Sequence, residues 1–576
     1  MTAIAPETAV RAASLAELRT AGRVVVHVEG HTLCLFADGD AVHAVDNRCP
    51  HMGFPLHRGS VADGILTCHW HHARFDLCSG GTFDQWADEL RRFPIELRGD
   101  DVLVDLAPQV DPVAHHRERL RDGLERDIPL VLAKAAIALH AAEPGDGEVF
   151  AAALEFGVER RGAGWGRGLT TLTCFANLVP RLEADDRPAA LYHGLADVAA
   201  ESFGASPRFP LDPLPGRGAT PERLAGWFRR FVEVRDSEGA ERALVSAVRA
   251  GATPAQLADM LFAAATDHRY LEVGHALDFV NKALDALDIA GWERAERVLG
   301  SLVPVLAMAQ RMEETNAWRN PVDLVALLER AFDELEGLEV APDGAWAGRV
   351  ALVDVVLGDD PAASVEALLQ AVRDGATAAD LASAVSFAAA TRIARFPTSN
   401  EFGDWDTALH TFTFAHAVEQ GLRRSPSREL VRGVFDAAMS VYLDRFLNVP
   451  ATRLPHPEPG AEPEALLSEL PALLDRQQQV DEAGALVASY LTSNGDPHRL
   501  VEALGAALVR EDRNFHTIQC VEAAVRQHEL TGEGLPLIAA GRYLAAHATT
   551  TRSQRQTFEI ARRLHRGERL YEELPA

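Results

Sequence analysis

Two short pairs of metal donors, Cys49-Pro50-His51 and Cys68-His69-Trp70-His71, constrain this chain more than any other feature. They lie sixteen residues apart, and each offers one thiolate and one imidazole from a tight loop. Whatever surrounds them must hold two loops side by side around one metal centre. Four such donors can form a Cys2His2 zinc tetrahedron. They can equally form an iron–sulfur centre in which two His replace two Cys on one of the irons. The C-x-H spacing of the first pair fits a zinc finger poorly.

The flanking residues extend the pattern. Gly53 follows the first pair, Gly59 and Gly64 punctuate the spacer, and Phe75-Asp76 then Ser79-Gly80-Gly81 follow the second. Over about the first hundred residues the chain resembles the Rieske ferredoxin family. The resemblance implies a [2Fe–2S] cluster held by Cys49, His51, Cys68 and His71, which moves one electron at a time. The family usually places Pro after the second Cys and Gly after the second His, where this chain has His69 and His72. The C-x-x-H spacing selects His71 as ligand, so His72 must occupy a position that Gly would adopt more easily. His tolerates positive φ better than most residues. High-potential members carry an extra Cys in each loop, and those positions hold Phe54 and Trp70. That resembles the lower-potential ferredoxins that feed an oxygenase or a reductase.

Around these loops the sequence reads as short strands: RVVVHV, HTLCLF, AVHAV, ILTCHW and DVLVDL, with turns between them. Such spacing predicts a small all-β domain over residues 13–108, preceded by a loose tail over residues 1–12 and closed by the linker APQVDP. Six cysteines are too few and too scattered for a disulfide framework. Cys34, Cys78, Cys174 and Cys520 sit in apolar runs and read as buried thiols, which implies a reducing compartment. No apolar run is long enough to span a membrane and no signal-peptide core is visible, so the expected location is cytoplasmic. A net charge of −28 argues against nucleic acid, whose phosphates demand a basic face. Lysine occurs only at Lys134 and Lys282.

Beyond about His115 the texture turns helical, with apolar residues at helical spacing. Four stretches align: LTTLTCFANLVPRL, GHALDFVNKALDAL, LHTFTFAHAVEQGL and FHTIQCVEAAVRQH, with Thr170, His275, His410 and His516 as their second residues. Glycines follow 23 to 25 residues later, at Gly194, Gly300, Gly433 and Gly541. Thr170 to His410 is 240 residues and His275 to His516 is 241. The pattern predicts a large all-α domain over 109–576 built from four helical repeat units, two duplicated pairs, at about 115–215, 216–335, 345–455 and 462–576.

The repeat places His at one equivalent position in three units, with an acid about one turn earlier: Glu272, Asp406 and Asp512. On a continuous helix His268, Glu272 and His275 would share about 60° of arc. Glu272-Val273-Gly274-His275 has the Glu-x-x-His spacing of helical di-iron proteins. A closed assembly turns the three His toward a common axis, whereas an open solenoid leaves them a unit apart as structural residues. The candidate catalytic set is His268, Glu272, His275, His410 and His516, with a second metal, iron, as the implied cofactor and a small molecule as substrate. Arg311, Glu313, Glu314 and Trp318 form a further cluster that lines a pocket or caps its unit. The expected function is Rieske-type electron transfer to the fused helical domain, an oxygenase-linked oxidoreductase, or to a partner, with a ferredoxin reductase as donor. The alternative is a non-enzymatic helical scaffold in which the Rieske domain senses redox state.

Overall fold

Alternation of apolar and polar residues builds three consecutive antiparallel strands, Arg23–Val28, His31–Asp38 and Ala41–Asp46, with Val25 opposite Cys34 and Cys34 opposite Val45. Glu29 and Gly30, both at positive φ, make the two-residue turn between the first two. Arg92–Phe93 completes this four-stranded sheet. A second sheet pairs Ala9–Ser14 with Asp101–Asp105 and that strand with Ile95–Arg98. The third, Ser60–Ala62, Ile65–Thr67 and Arg74–Asp76, carries the Cys68 loop between its last two strands, while the Cys49 loop follows Ala41–Asp46. These are features of a computed structural model that describes residues 9–107, 111–142, 147–216, 218–342, 344, 346–457 and 460–568.

Two expectations change here. Residues 9–12 are not a loose tail: Ala9–Ser14 is a paired strand, and Ser14 caps the helix Leu15–Ala21 by accepting from the Glu17 amide. Residues 1–8 lie outside the described residues. The strand expected over ILTCHW ends at Thr67, because the backbone turns away at Cys68 and closes a loop from the Cys68 amide to the Ala73 carbonyl.

The β-strands belong to a compact unit made from the described residues of 1–149 together with those of 553–576. It therefore runs past the expected boundary at 108, taking in helices Pro112–Arg126, Pro129–Ala142 and Ser553–His565. The last of these packs on Pro129–Ala142.

The second unit, 150–552, is helical. The four aligned stretches lie on helices Arg167–Leu178, His275–Ala290, Phe402–Arg424 and Phe515–Thr531. Each packs against the next around a closed ring. Among the described residues no helix is long and apolar enough to cross a membrane.

The interior of that ring is charged. Lys282, 1% exposed, bonds Glu522, which is fully buried, at 2.7 Å. One layer further, Asp285 accepts from Arg526 at 2.5 Å and from Arg424 at 2.9 Å. Gln527 joins His416 to Glu419. Asp278 accepts from Gln519, and burial, only partly offset by Lys282, pushes its carboxyl up to about 7. An acid whose folded-state pKa is raised favours the folded state fully only below its unfolded pKa, about 3.9. Stability is then lost as pH climbs from about 4 to 7. Asp278→Asn is accordingly expected to stabilise the helical unit at pH 8, by on the order of 2 kcal/mol, with the gain vanishing near pH 4. Urea melts at the two pH values check this; equal gains at both would overturn it.

Candidate metal centres

In the first unit the donor loops come together as the spacing requires. Cys49 and Cys68 are 2% and 1% exposed and share a hydrogen bond. That bond is the main cause lifting Cys49 and holding Cys68 at about 6. The His51 and His71 rings meet edge to face at 4.9 Å, with Trp86 against His51 at 4.7 Å and Trp70 against His71 at 4.5 Å. Backbone bonds lock each loop: the Cys49 amide to the Phe54 carbonyl, Gly53 to Cys49, and Cys68 to Ala73. His72 does sit at positive φ, +63°. His69 bonds the Ser60 hydroxyl at 3.1 Å. After the second loop, Asp76 accepts from the Cys78 and Ser79 amides, and at Gly80, φ +81°, a Cβ would strike the Leu90 carbonyl.

The residues fit a two-thiolate, two-imidazole cluster. The buried Nδ1 of His51 has no hydrogen-bond partner, and burial first, then His71 and Lys134, hold its ring at about 4, so it is a neutral donor. Lys134 buttresses the first loop, giving one hydrogen bond to the Pro50 carbonyl at 2.5 Å and another to Asp88 at 3.1 Å. Arg119 bonds Asp88 as well. Burial works against the Asp88 carboxylate, but the two cations outweigh it and keep it at about 2. No sequence pattern flagged this bracket, although Lys134 is one of only two lysines in the chain. Cys78, expected to be buried, is exposed, because the Asp76-capped turn presents it to solvent.

In the second unit His275, His410 and His516 meet: one nitrogen from each lies within 4.8 Å of the others. Nε2 of His410 and Nε2 of His516 are 3.0 Å apart. On an ion with metal–nitrogen bonds of about 2.1 Å, adjacent donors stand about 3.0–3.4 Å apart. Burial first and neighbouring imidazoles second hold His275 at about 4 and His410 at about 3, so both present lone pairs at neutral pH. Asp406 stands 3.3 Å from Nδ1 of His516 and accepts from the Tyr543 hydroxyl at 2.5 Å. Burial disfavours its charge, yet His516, His547 and Tyr543 hold it well below the usual carboxylate range. A carboxylate on the far ring nitrogen fixes tautomer and ring plane, leaving Nε2 for the centre.

The structure does not form the continuous helix expected over His268–His275. Tyr270, Glu272 and Val273 all have φ near +50°, and the helix begins only at His275. His268 instead bonds Glu313 at 2.5 Å and Glu233 at 2.6 Å, and Glu272 accepts from the Gln310 amide at 2.7 Å. Neither reaches the triad, so the Glu-x-x-His spacing has no helical meaning here. Of the three acids, Asp406 alone reaches the triad, serving the His of a different helix. Asp512 bonds Thr551. Gly274 is required: at φ +93° a Cβ there would meet Phe414 at 2.9 Å. Trp318 is buried on a cavity wall, while Arg311 bonds the Glu233 carbonyl.

Residues 8–94 match the family model of the Rieske [2Fe–2S] domain. Over 97 residues the chain is 28% identical to the ferredoxin component of the naphthalene 1,2-dioxygenase system of Pseudomonas aeruginosa, covering 17% of this chain and 93% of that protein. It is 33% identical over 76 residues to apoptosis-inducing factor 3 of Homo sapiens, and it spans only 13% of that curated relative's length and 13% of its own. Among solved structures, the ferredoxin of carbazole 1,9a-dioxygenase from Nocardioides aromaticivorans IC177 is 28% identical, covering 17% of this chain and 97% of that one, with a TM-score of 0.16. The N-terminal domain is a Rieske domain, similar to ferredoxin components of oxygenases, and it implies a [2Fe–2S] cluster rather than zinc.

Proposed function

We propose that this chain is an oxidoreductase in which the Rieske domain supplies single electrons to a mononuclear iron centre in the helical unit. Cys49, His51, Cys68 and His71 would hold the cluster, whose chemistry is one-electron transfer. The Trp70 and Trp86 rings pack beside its imidazoles, and Lys134 fixes the loop that carries His51. The observation that carries the reading is the meeting of His275, His410 and His516 from three different helices. Imidazole donors suit zinc, copper, iron or nickel. A fused one-electron donor selects a redox metal, since zinc cannot use an electron. The even offsets of 240 and 241 residues support an origin by duplication, which would place four equivalent helices around one axis. The electron donor would be a ferredoxin reductase, and the substrate a small molecule.

Metal analysis tests this against the redox-sensing scaffold. Full-length protein loaded anaerobically with ferrous iron is expected to hold three irons and two acid-labile sulfides per chain. His410→Ala should lower iron to two and leave sulfide and the Rieske paramagnetic signal intact. Two irons in both proteins, or zinc in the triad, would sink the redox reading.

A further inference from the structure

A cavity of about 440 Å³ opens beside the triad, with His410 in its wall. That volume is in the range of small-molecule sites, which are mostly apolar with a few placed polar groups. Tyr270, Val273, Met312, Trp318, Leu443 and Phe446 supply the apolar surface. The rings of Tyr270 and Trp318 lie 6.3 Å apart and tilted by 33°, which favours a flat guest.

One polar group in this wall is unexplained by the fold. Asp444 is 5% exposed, and its Oδ2 has no hydrogen-bond partner. Buried carboxyl oxygens are rarely left so, because an unmade bond costs about 1–3 kcal/mol. Burial also pushes this carboxyl up to about 7, with Thr411 and Arg392 pulling the other way. Thr411 in turn meets the Tyr270 hydroxyl at 3.4 Å. Arg445, the cation beside Asp444, is stacked over Tyr442 and Phe446 at 3.7 and 3.8 Å and bonds the Tyr442 carbonyl, so it is already engaged. An anionic guest would face Asp444 without a free counter-charge from that residue.

The backbone beside the cavity is held in a costly form. Tyr270, Glu272 and Val273 occupy the left-handed region, and for β-branched Val273 this is a true outlier. Such residues cost on the order of 1–3 kcal/mol each and cluster at ligand clamps. The Glu272–Gln310 bonds pin the segment, placing Val273 on the cavity wall and His275 at the start of its helix.

We infer that this cavity binds a neutral aromatic molecule bearing a hydroxyl group, with the hydroxyl at Asp444 and the ring edge toward His410. Its role as substrate rests on the triad being a metal redox centre. The probes are 1-naphthol, naphthalene and 1-naphthoate, titrated calorimetrically into the full-length, iron-loaded protein. Naphthol should bind, naphthoate roughly tenfold or more weakly, and Asp444→Leu, which removes the acceptor, should erase most of the preference for naphthol over naphthalene, about five- to tenfold for one hydrogen bond. Thr407→Trp and Ala317→Trp, both at exposed positions on the cavity wall, should each abolish binding by filling it. Absence of naphthol binding, or binding untouched by both tryptophans, overturns the inference. Naphthol binding with an iron-free triad would keep the ligand site and end the redox reading. A triad that holds iron in a protein that binds no naphthol would do the reverse.

Discussion

Replacing His71 by Ala is expected to strip the [2Fe–2S] cluster from the purified protein: the Rieske paramagnetic signal disappears, and both labile sulfides go with it. His69→Ala and His72→Ala should leave signal and sulfide in place. Three of the four residues after Cys68 are His, so sequence spacing alone has to choose among them. The structure separates their surroundings. His71 meets the His51 ring edge to face at 4.9 Å. His69 is turned to Ser60, and losing that exposed bond should cost no more than about 1 kcal/mol. His72 serves the turn through its positive φ, where Ala is strained but Gly is not. His72→Gly should therefore retain the cluster at least as well as His72→Ala. Loss of the cluster in His72→Ala together with its survival in His71→Ala would reverse the ligand assignment.

What could be read from the sequence follows from what its signals encode. Donor loops are local: spacing, glycines and a turn suffice, so naming Cys49, His51, Cys68 and His71 as candidate ligands needed no long-range information. The triad was legible for a different reason. Alignment of similar stretches in the sequence related His275, His410 and His516 across 241 residues, which no local periodicity could do. The Glu272 reading failed because a helical-wheel argument assumes a helix, and the chain breaks it with four positive-φ residues, three of them non-glycine residues that no composition rule predicts. Helices Pro112–Arg126 and Pro129–Ala142 belong to the β-domain's unit because of tertiary contacts, Lys134 to Pro50 among them, that a texture change cannot reveal. The charged ring interior was hidden as well. Asp278, Lys282 and Asp285 at helical spacing look like a solvated face, and only closure of the ring turns that face inward.

That interior also carries the largest expected stability effect. Lys282 and Glu522 sit seven and six residues after His275 and His516, on the same two helices, so the pair pins the bundle about two turns below the triad. Both directions agree on a charged pair: Glu522 is held far below the usual carboxylate range and Lys282 above its usual value, each against the cost of burial. Glu522 also accepts from Asn177 at 2.8 Å and Arg526 at 3.2 Å. Glu522→Ala leaves an ammonium and part of a guanidinium buried without their counter-charge, and breaking such a pair from one side costs about 3–5 kcal/mol. Removing both charges is a milder change, since a well-packed apolar pair in place of a buried ion pair is often neutral or better. The double variant Lys282→Met, Glu522→Met should therefore recover most of the loss. Urea unfolding followed by far-ultraviolet circular dichroism reports mainly on the helices, while the visible absorption of the Rieske domain reports separately on the first unit, which should not respond. A Glu522→Ala loss below about 1 kcal/mol would show that Lys282 is not charged in the fold. Loosening this pair should also spoil the spacing of His275 against His516, so, if the proposed iron centre is there, Glu522→Ala should fail to take up the third iron while keeping the two of the cluster.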